Sequence, residues 1–70
     1  MSILNAGMVA LDSSFIAAAG YNEWTRTLVI KFHSGLTREY HGVHASVFSG
    51  LINATSPGGF FNQQIRGRYS

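Results

Sequence analysis

The stretch Thr25 to Phe32 sets Leu28, Ile30 and Phe32 on one side of an extended chain and Thr27, Val29 and Lys31 on the other. A turn at His33-Ser34-Gly35 follows, and its length decides what pairs with this strand. A two-residue loop at Ser34-Gly35 would pair Phe32 with Thr37 and set Glu39 opposite Ile30. A three-residue loop with Gly35 in the left-handed conformation pairs Phe32 with Leu36, Ile30 with Arg38 and Leu28 with Tyr40. The second register keeps the apolar face nearly continuous and puts glycine where φ must be positive. The opposite face then carries Thr25, Thr27, Val29, Lys31, His33, Thr37, Glu39 and His41. That face is polar enough to meet water, so helices are expected on one side of the sheet only.

Upstream, Met8 to Asp12 and Ser14 to Tyr21 read as extended segments. By propensity Phe15-Ile16-Ala17-Ala18-Ala19 fits a helix equally well, and Gly20 ends the segment in either case. Asn22-Glu23 reads as a turn. Residues 1–7 read as a loose N-terminal lead, although Ile3 and Leu4 are apolar for a free tail. Downstream, His44 to Ala54 reads as a helix with Val47, Phe48, Leu51 and Ile52 on one stripe. Gly50 weakens it by about 1 kcal/mol relative to alanine, which implies close packing against another element. Ser56 is a good N-cap and Pro57 suits the first position of a second helix. Its buried stripe is Phe61, Ile65 and Tyr69, and Gly67 frays its end. The expected fold class is α+β. It is a small antiparallel β-meander of three to four strands with two short helices packed on one face, in one domain spanning residues 1–70.

At 70 residues there is room for a single domain. Apolar residues make up 46% and charged residues 11% of the chain. The first figure excludes a disordered tail. The longest apolar run, Phe15 to Ala19, is too short for a bilayer. No basic region followed by an apolar one marks a secretory signal, so a cytoplasmic location without membrane contact is expected. There is no cysteine, which removes disulfides and thiolate metal sites. Unstapled domains of this size have cores worth about 3–5 kcal/mol. Together with the apolar lead of Ile3, Leu4, Met8, Val9 and Leu11, this makes a homo-oligomer the expectation.

The chemistry-bearing residues are few. Asp12, Glu23 and Glu39 are the only carboxylates, and no glycine elbow surrounds any serine. A nucleophile with its base and orienting group cannot be assembled. His41-Gly42-Val43-His44 has a ligand-like spacing but no third ligand, so two half-exposed histidines at a strand-to-helix junction are expected instead. Binding without catalysis and without a cofactor is the expectation. Charge is balanced up to Asn53, and the excess rests on Arg66 and Arg68. Ser56-Pro57-Gly58-Gly59 presents backbone N–H groups at a helix start, where phosphate binds readily. Capping and a tight interhelical corner account for the same residues. The arginines lie roughly 15 Å further along the helix axis, so one small phosphate cannot touch both ends. Tyr21, Trp24, Tyr40 and Tyr69 with Arg38 make the ingredients of a base-stacking platform. In the chosen register Tyr40 belongs to the core and Arg38 extends to its edge, which leaves Trp24 as the exposed aromatic contact.

The order of several short motifs resembles a known family. These are Ser13-Ser14 with Ile16, Gly20-Tyr21, Leu28 to Phe32 before Ser34-Gly35, then Tyr40, Val43, Val47 and Ala54. Ser56, Gly59, Phe60-Phe61-Asn62 and Ile65-Arg66 close the series. From about Asp12 to Tyr69 the chain is similar to the KTSC domain. That short module is named for the C-terminus of certain lysyl-tRNA synthetases and is also free-standing in bacteria and their phages. Three positions depart from the family pattern. Arg38 replaces the first tyrosine of a Tyr-x-Tyr, His44 replaces a proline, and Asn22 replaces an aspartate. The resemblance implies RNA binding through the synthetase association, and it brings no catalytic residues with it.

These readings combine into a non-enzymatic binding module for a phosphate-bearing ligand, RNA or a nucleotide. Ser56, Gly58 and Gly59 would meet phosphate, Arg66, Arg68 and Arg38 would supply charge, and Trp24 would stack. The alternative is a phage-encoded inhibitor. It would act by protein–protein interaction with a host complex or by sequestering a host signalling nucleotide.

Overall fold

In the computed structural model, which describes residues 8–69, the central hairpin takes the three-residue register. Leu28 pairs with Tyr40 and Ile30 with Arg38. The Phe32 N–H donates to the Leu36 carbonyl at 2.8 Å, and Gly35 has φ 96°. The hairpin belongs to a four-stranded antiparallel meander, β1 (Val9–Ala10), β2 (Ile16–Asn22), β3 (Thr27–Phe32) and β4 (Thr37–Tyr40), in sequence order. Residues 1–7, with the apolar Ile3 and Leu4, lie outside the described residues.

Three strand boundaries differ from the sequence expectation. The Ser14–Tyr21 segment is a strand rather than a helix, and it runs through Gly20 to Asn22. Gly20 is buried and pairs with Val29, so pairing on both sides of β2 outweighs the weakness of glycine in a strand. Only Val9 and Ala10 of the first extended segment pair with β2. The third difference is at β3, which begins at Thr27 because Arg26 has φ 55° and turns the chain.

β2 also contains a bulge. Ile16 pairs with Phe32 and Ala18 with Lys31, so Ala17 is an extra residue. The bulge re-phases the side chains: Ile16 and Ala19 are both fully buried in the core, although strict alternation would send them to opposite faces.

Two short helices cover one face of the sheet. α1 (Ala45–Asn53) is flanked by His44 and Ala54, both extended, one residue short of the expected span at each end. α2 (Pro57–Phe60) continues directly into a wide π turn, Phe61–Ile65. Leu28, Ile30 and Tyr40 from the sheet meet Leu51, Phe61 and Ile65 from the helices, with Val43 between them. The tyrosine hydroxyl of Tyr21 donates to the Val43 carbonyl, and its ring stacks on Phe48 with centroids 5.5 Å apart. Gly50 packs against the Phe60 ring, where a Cβ would come within 2.7 Å; that close approach is the reason the helix carries a glycine. The far face of the sheet is mostly exposed, but Thr27 and Val29 there are buried. Val29 lies between its paired neighbours Gly20 and Glu39, and Thr27 pairs with Asn22.

Candidate functional site

The loop before β2 is held by one serine. Ser13 Oγ accepts from the N–H groups of Phe15 and Ile16 at 3.3 and 3.2 Å. The Ser13 carbonyl accepts from His33 Nε2 at 3.0 Å, and the His33 N–H donates to the Phe15 carbonyl at 2.9 Å. These bonds dock Phe15 against the end of the hairpin, where it stacks on Phe32 with centroids 6.3 Å apart. Phe61 stands edge-on to Phe15, Phe32 and Tyr40 at 6.0, 5.8 and 5.9 Å. These rings form the floor of a cleft.

The other wall comes from the end of the π turn. The Arg66 N–H donates to the Phe61 carbonyl at 2.8 Å, so Arg66 stands one wide turn above Phe61. In a regular α-helix Ile65 alone would be nearest to that position. The wider turn keeps Ile65 in the core and brings Arg66 into the cleft. Gly67 then takes φ 80° and Arg68 donates to the Ile65 carbonyl, which folds Tyr69 back to the same cavity.

The cavity measures about 630 Å³ and lies between the hairpin and this C-terminal turn. Arg38 enters from β4 at the register position beside Ile30, and its exposed side chain lines the cavity with Leu36, His33 and Ser34. Among the described residues, no carboxylate lines it. Among the described residues the single ion pair within 4 Å joins His41 Nε2 to Glu39 Oε1 at 3.9 Å, away from the cavity lining. Among the described residues, Arg66 Nη1 donates to Asn62 Oδ1 at 3.5 Å. Arg38 and Arg66 therefore line one concave, ring-lined space with no acidic partner among the described residues, an arrangement that favours an anion carrying apolar surface.

Of the residues singled out by sequence, the structure brings Arg38 and Arg66 together and leaves the others apart. Ser56 caps α2, its Oγ accepting from the Gly59 N–H at 3.3 Å. Gly58 lies under the Phe15 ring. Trp24 sits in the β2–β3 turn, at the opposite end of β3 from the cavity, with 82% of its surface exposed. Arg68 is exposed and outside the lining. Of the histidine pair, His41 Nδ1 lies 3.5 Å from Thr27 Oγ1 and His44 flanks α1.

Sequence reading grouped Tyr69 with Arg38 and set Phe32 on the same hairpin face, but it missed Phe15 and His33 as neighbours of the arginines. The hairpin register carried part of the signal, since it sets Phe32, Leu36, Arg38 and Tyr40 on one face. The approach of Arg66 and Tyr69 had no local signal.

Comparison with known proteins extends this picture. A family model described as KTSC domain matches residues 12–69. A segment of a lysine–tRNA ligase from Nostoc punctiforme is 41% identical over 58 residues, covering 83% of this chain and 10% of the ligase. A protein of Tsukamurella paurometabola is 37% identical over 62 residues, covering 89% of this chain and 92% of that protein. The crystal structure of a KTSC domain protein from Yersinia pestis aligns with a TM-score of 0.86 at 32% identity. The alignment covers 90% of this chain and 89% of that one. The chain thus spans about 10% of the length of the ligases it matches.

Proposed function

The chain belongs to the KTSC domain family, and from that premise we propose that it is a non-enzymatic, cytoplasmic binding module whose phosphate-bearing ligand, RNA or a nucleotide, sits in the cleft between the hairpin and the C-terminal turn. One observation carries the reading: Arg38 and Arg66 line the same cavity and, among the described residues, no carboxylate joins them. Guanidinium groups are suited to phosphate because their planar donors meet two oxygens at once. The half-buried Phe15, Phe32 and Tyr69 add ring surface to the same space. The similarity to segments of lysine–tRNA ligases supports RNA as one source of the phosphate.

The test is equilibrium binding of ADP and of a short single-stranded RNA to the wild type and to Arg38→Ala and Arg66→Ala. Each substitution is expected to weaken binding by about tenfold or more, since a hydrogen bond to a charged group is worth about 1.5–3 kcal/mol. Unchanged affinity in the double variant overturns the reading.

A second reading, an inhibitor that docks on a host protein, draws on Trp24, 82% exposed at the far end of the sheet. Exposed tryptophans are common interface anchors. Native mass spectrometry of protein purified from cells separates the two readings. It reports subunit count, a co-purified nucleotide and a co-purified protein in one spectrum.

A further inference from the structure

We propose that the cleft accepts one nucleotide unit, a planar base with its own phosphates, and excludes the interior of a strand. The unit is either a free nucleotide or the phosphorylated end of a strand. This inference rests on the reading of the cleft as a phosphate site and narrows what can occupy it.

Three observations carry it. First, the cations do not form a track. The chain has five Lys and Arg residues, and only Arg38 and Arg66 line the cavity. Lys31 pairs with Thr37 on the far face of the sheet, two register positions from the Val29–Glu39 pair. Arg26 sits in the β2–β3 turn, at the opposite end of β3 from the cavity. Arg68 is outside the lining. A continuous strand needs a positively charged groove that follows successive phosphates, and the described residues supply no such row.

Second, the space is short and walled on two sides. The hairpin flanks it on one side and the C-terminal turn with Tyr69 on the other, and it opens to solvent between them. Its volume of about 630 Å³ falls within the range of clefts that bury a single small ligand. Third, charge and ring surface are adjacent. The two guanidinium groups share the cavity with Tyr69 and the stacked pair Phe15–Phe32. A ligand that satisfies both presents phosphate and a flat ring within one unit.

Salt dependence makes this quantitative. Each neutralised phosphate on a single strand contributes a slope of about −0.7 in log affinity against log salt. Two arginines give a slope of about −1.4, or roughly a sevenfold loss between 50 and 200 mM salt. Six phosphates along a strand would give roughly a 300-fold loss over the same interval.

The experiment measures dissociation constants at both salt concentrations for five probes. They are adenosine, ADP, an RNA trimer with terminal phosphates, an RNA 12-mer with the same ends, and a 12-mer with hydroxyl ends. The expected result is weak binding of adenosine and of the hydroxyl-ended strand. The phosphorylated trimer and 12-mer should bind equally, with a salt loss of about tenfold or less for every binder. If ADP binds at least as tightly as the trimer, the source is a free nucleotide; if the trimer is tighter, the source is a strand end. Arg26→Ala and Arg68→Ala are expected to leave affinity within twofold. Affinity that rises steeply with strand length and falls some 300-fold with salt overturns this inference while leaving the phosphate site intact. Failure of all five probes to bind overturns the phosphate reading as well.

Discussion

The Phe15 ring occupies the space that a side chain at Gly58 would need. A Cβ built on Gly58 would lie 2.7 Å from Phe15 Cε1 and 3.3 Å from Cζ. Phe15 cannot retreat freely, because it stacks on Phe32, meets Phe61 edge-on and carries the carbonyl that holds the His33 N–H. The helix start is thus locked to the β2 approach loop by a missing methyl group. Gly58→Ala should therefore destabilise the fold by about 1 kcal/mol net, overpacking outweighing the gain in helix propensity. For a chain of this size that lowers the melting temperature by about 4–8 °C. Because Phe15 lines the cleft, ligand affinity should fall too. Calorimetric melting and a binding titration on the same sample check both.

Ser56 separates capping from ligand contact. Its Oγ already accepts the Gly59 N–H, and it lies outside the cavity lining. Ser56→Ala should cost about 1 kcal/mol of stability, the usual loss of an N-cap, and leave ADP or RNA affinity unchanged. A loss of affinity without a loss of stability would return the phosphate to the helix start.

Two leucines of the hairpin face should behave oppositely. Leu28 is fully buried and Leu36 is 54% exposed. Leu28→Ala removes core volume worth about 2–5 kcal/mol, comparable to the about 3–5 kcal/mol that a core of this size supplies. Circular dichroism should show a largely unfolded chain at 25 °C. Leu36→Ala should stay within about 0.5 kcal/mol of wild type, its effect appearing only at the rim of the cleft.

Trp24 offers a spectroscopic check on where ligand binds. It is the sole tryptophan and is 82% exposed, so its emission should barely shift on unfolding. Occupation of the cleft, at the other end of β3, should leave that emission unchanged. A large change on adding ADP or RNA would move the site to the β2–β3 turn.

Arg38 lines the cleft from β4. Arg38→Tyr should keep the fold, since the side chain is exposed, and reduce the salt slope of ligand binding by about 0.7, one phosphate's worth. An unchanged slope would show that Arg38 does not meet the anion.

How much of this was legible beforehand differs by element. The register that pairs Leu28 with Tyr40 was legible because alternation and the position of Gly35 are both local. The cap at Ser56 was legible for the same reason. The span of β2 was less so, because its alanines favour a helix and its glycine weakens a strand, and only pairing on both sides made the choice. Within the site, the face shared by Leu36, Arg38 and Tyr40 could be read from the hairpin. The placement of Phe15 and Arg66 beside them could not.

What the chain determines alone is therefore the set of contacts made between near neighbours: the hairpin, its apolar face, the cap and the stripe of Phe61 and Ile65. Tertiary structure decided the bulge at Ala17, the wide turn from Phe61 to Ile65, and with them the meeting of Arg38 and Arg66. The physical reason is phase. An extra residue in a strand or a widened helical turn rotates everything that follows, and that rotation is stable only once distant segments pack against it.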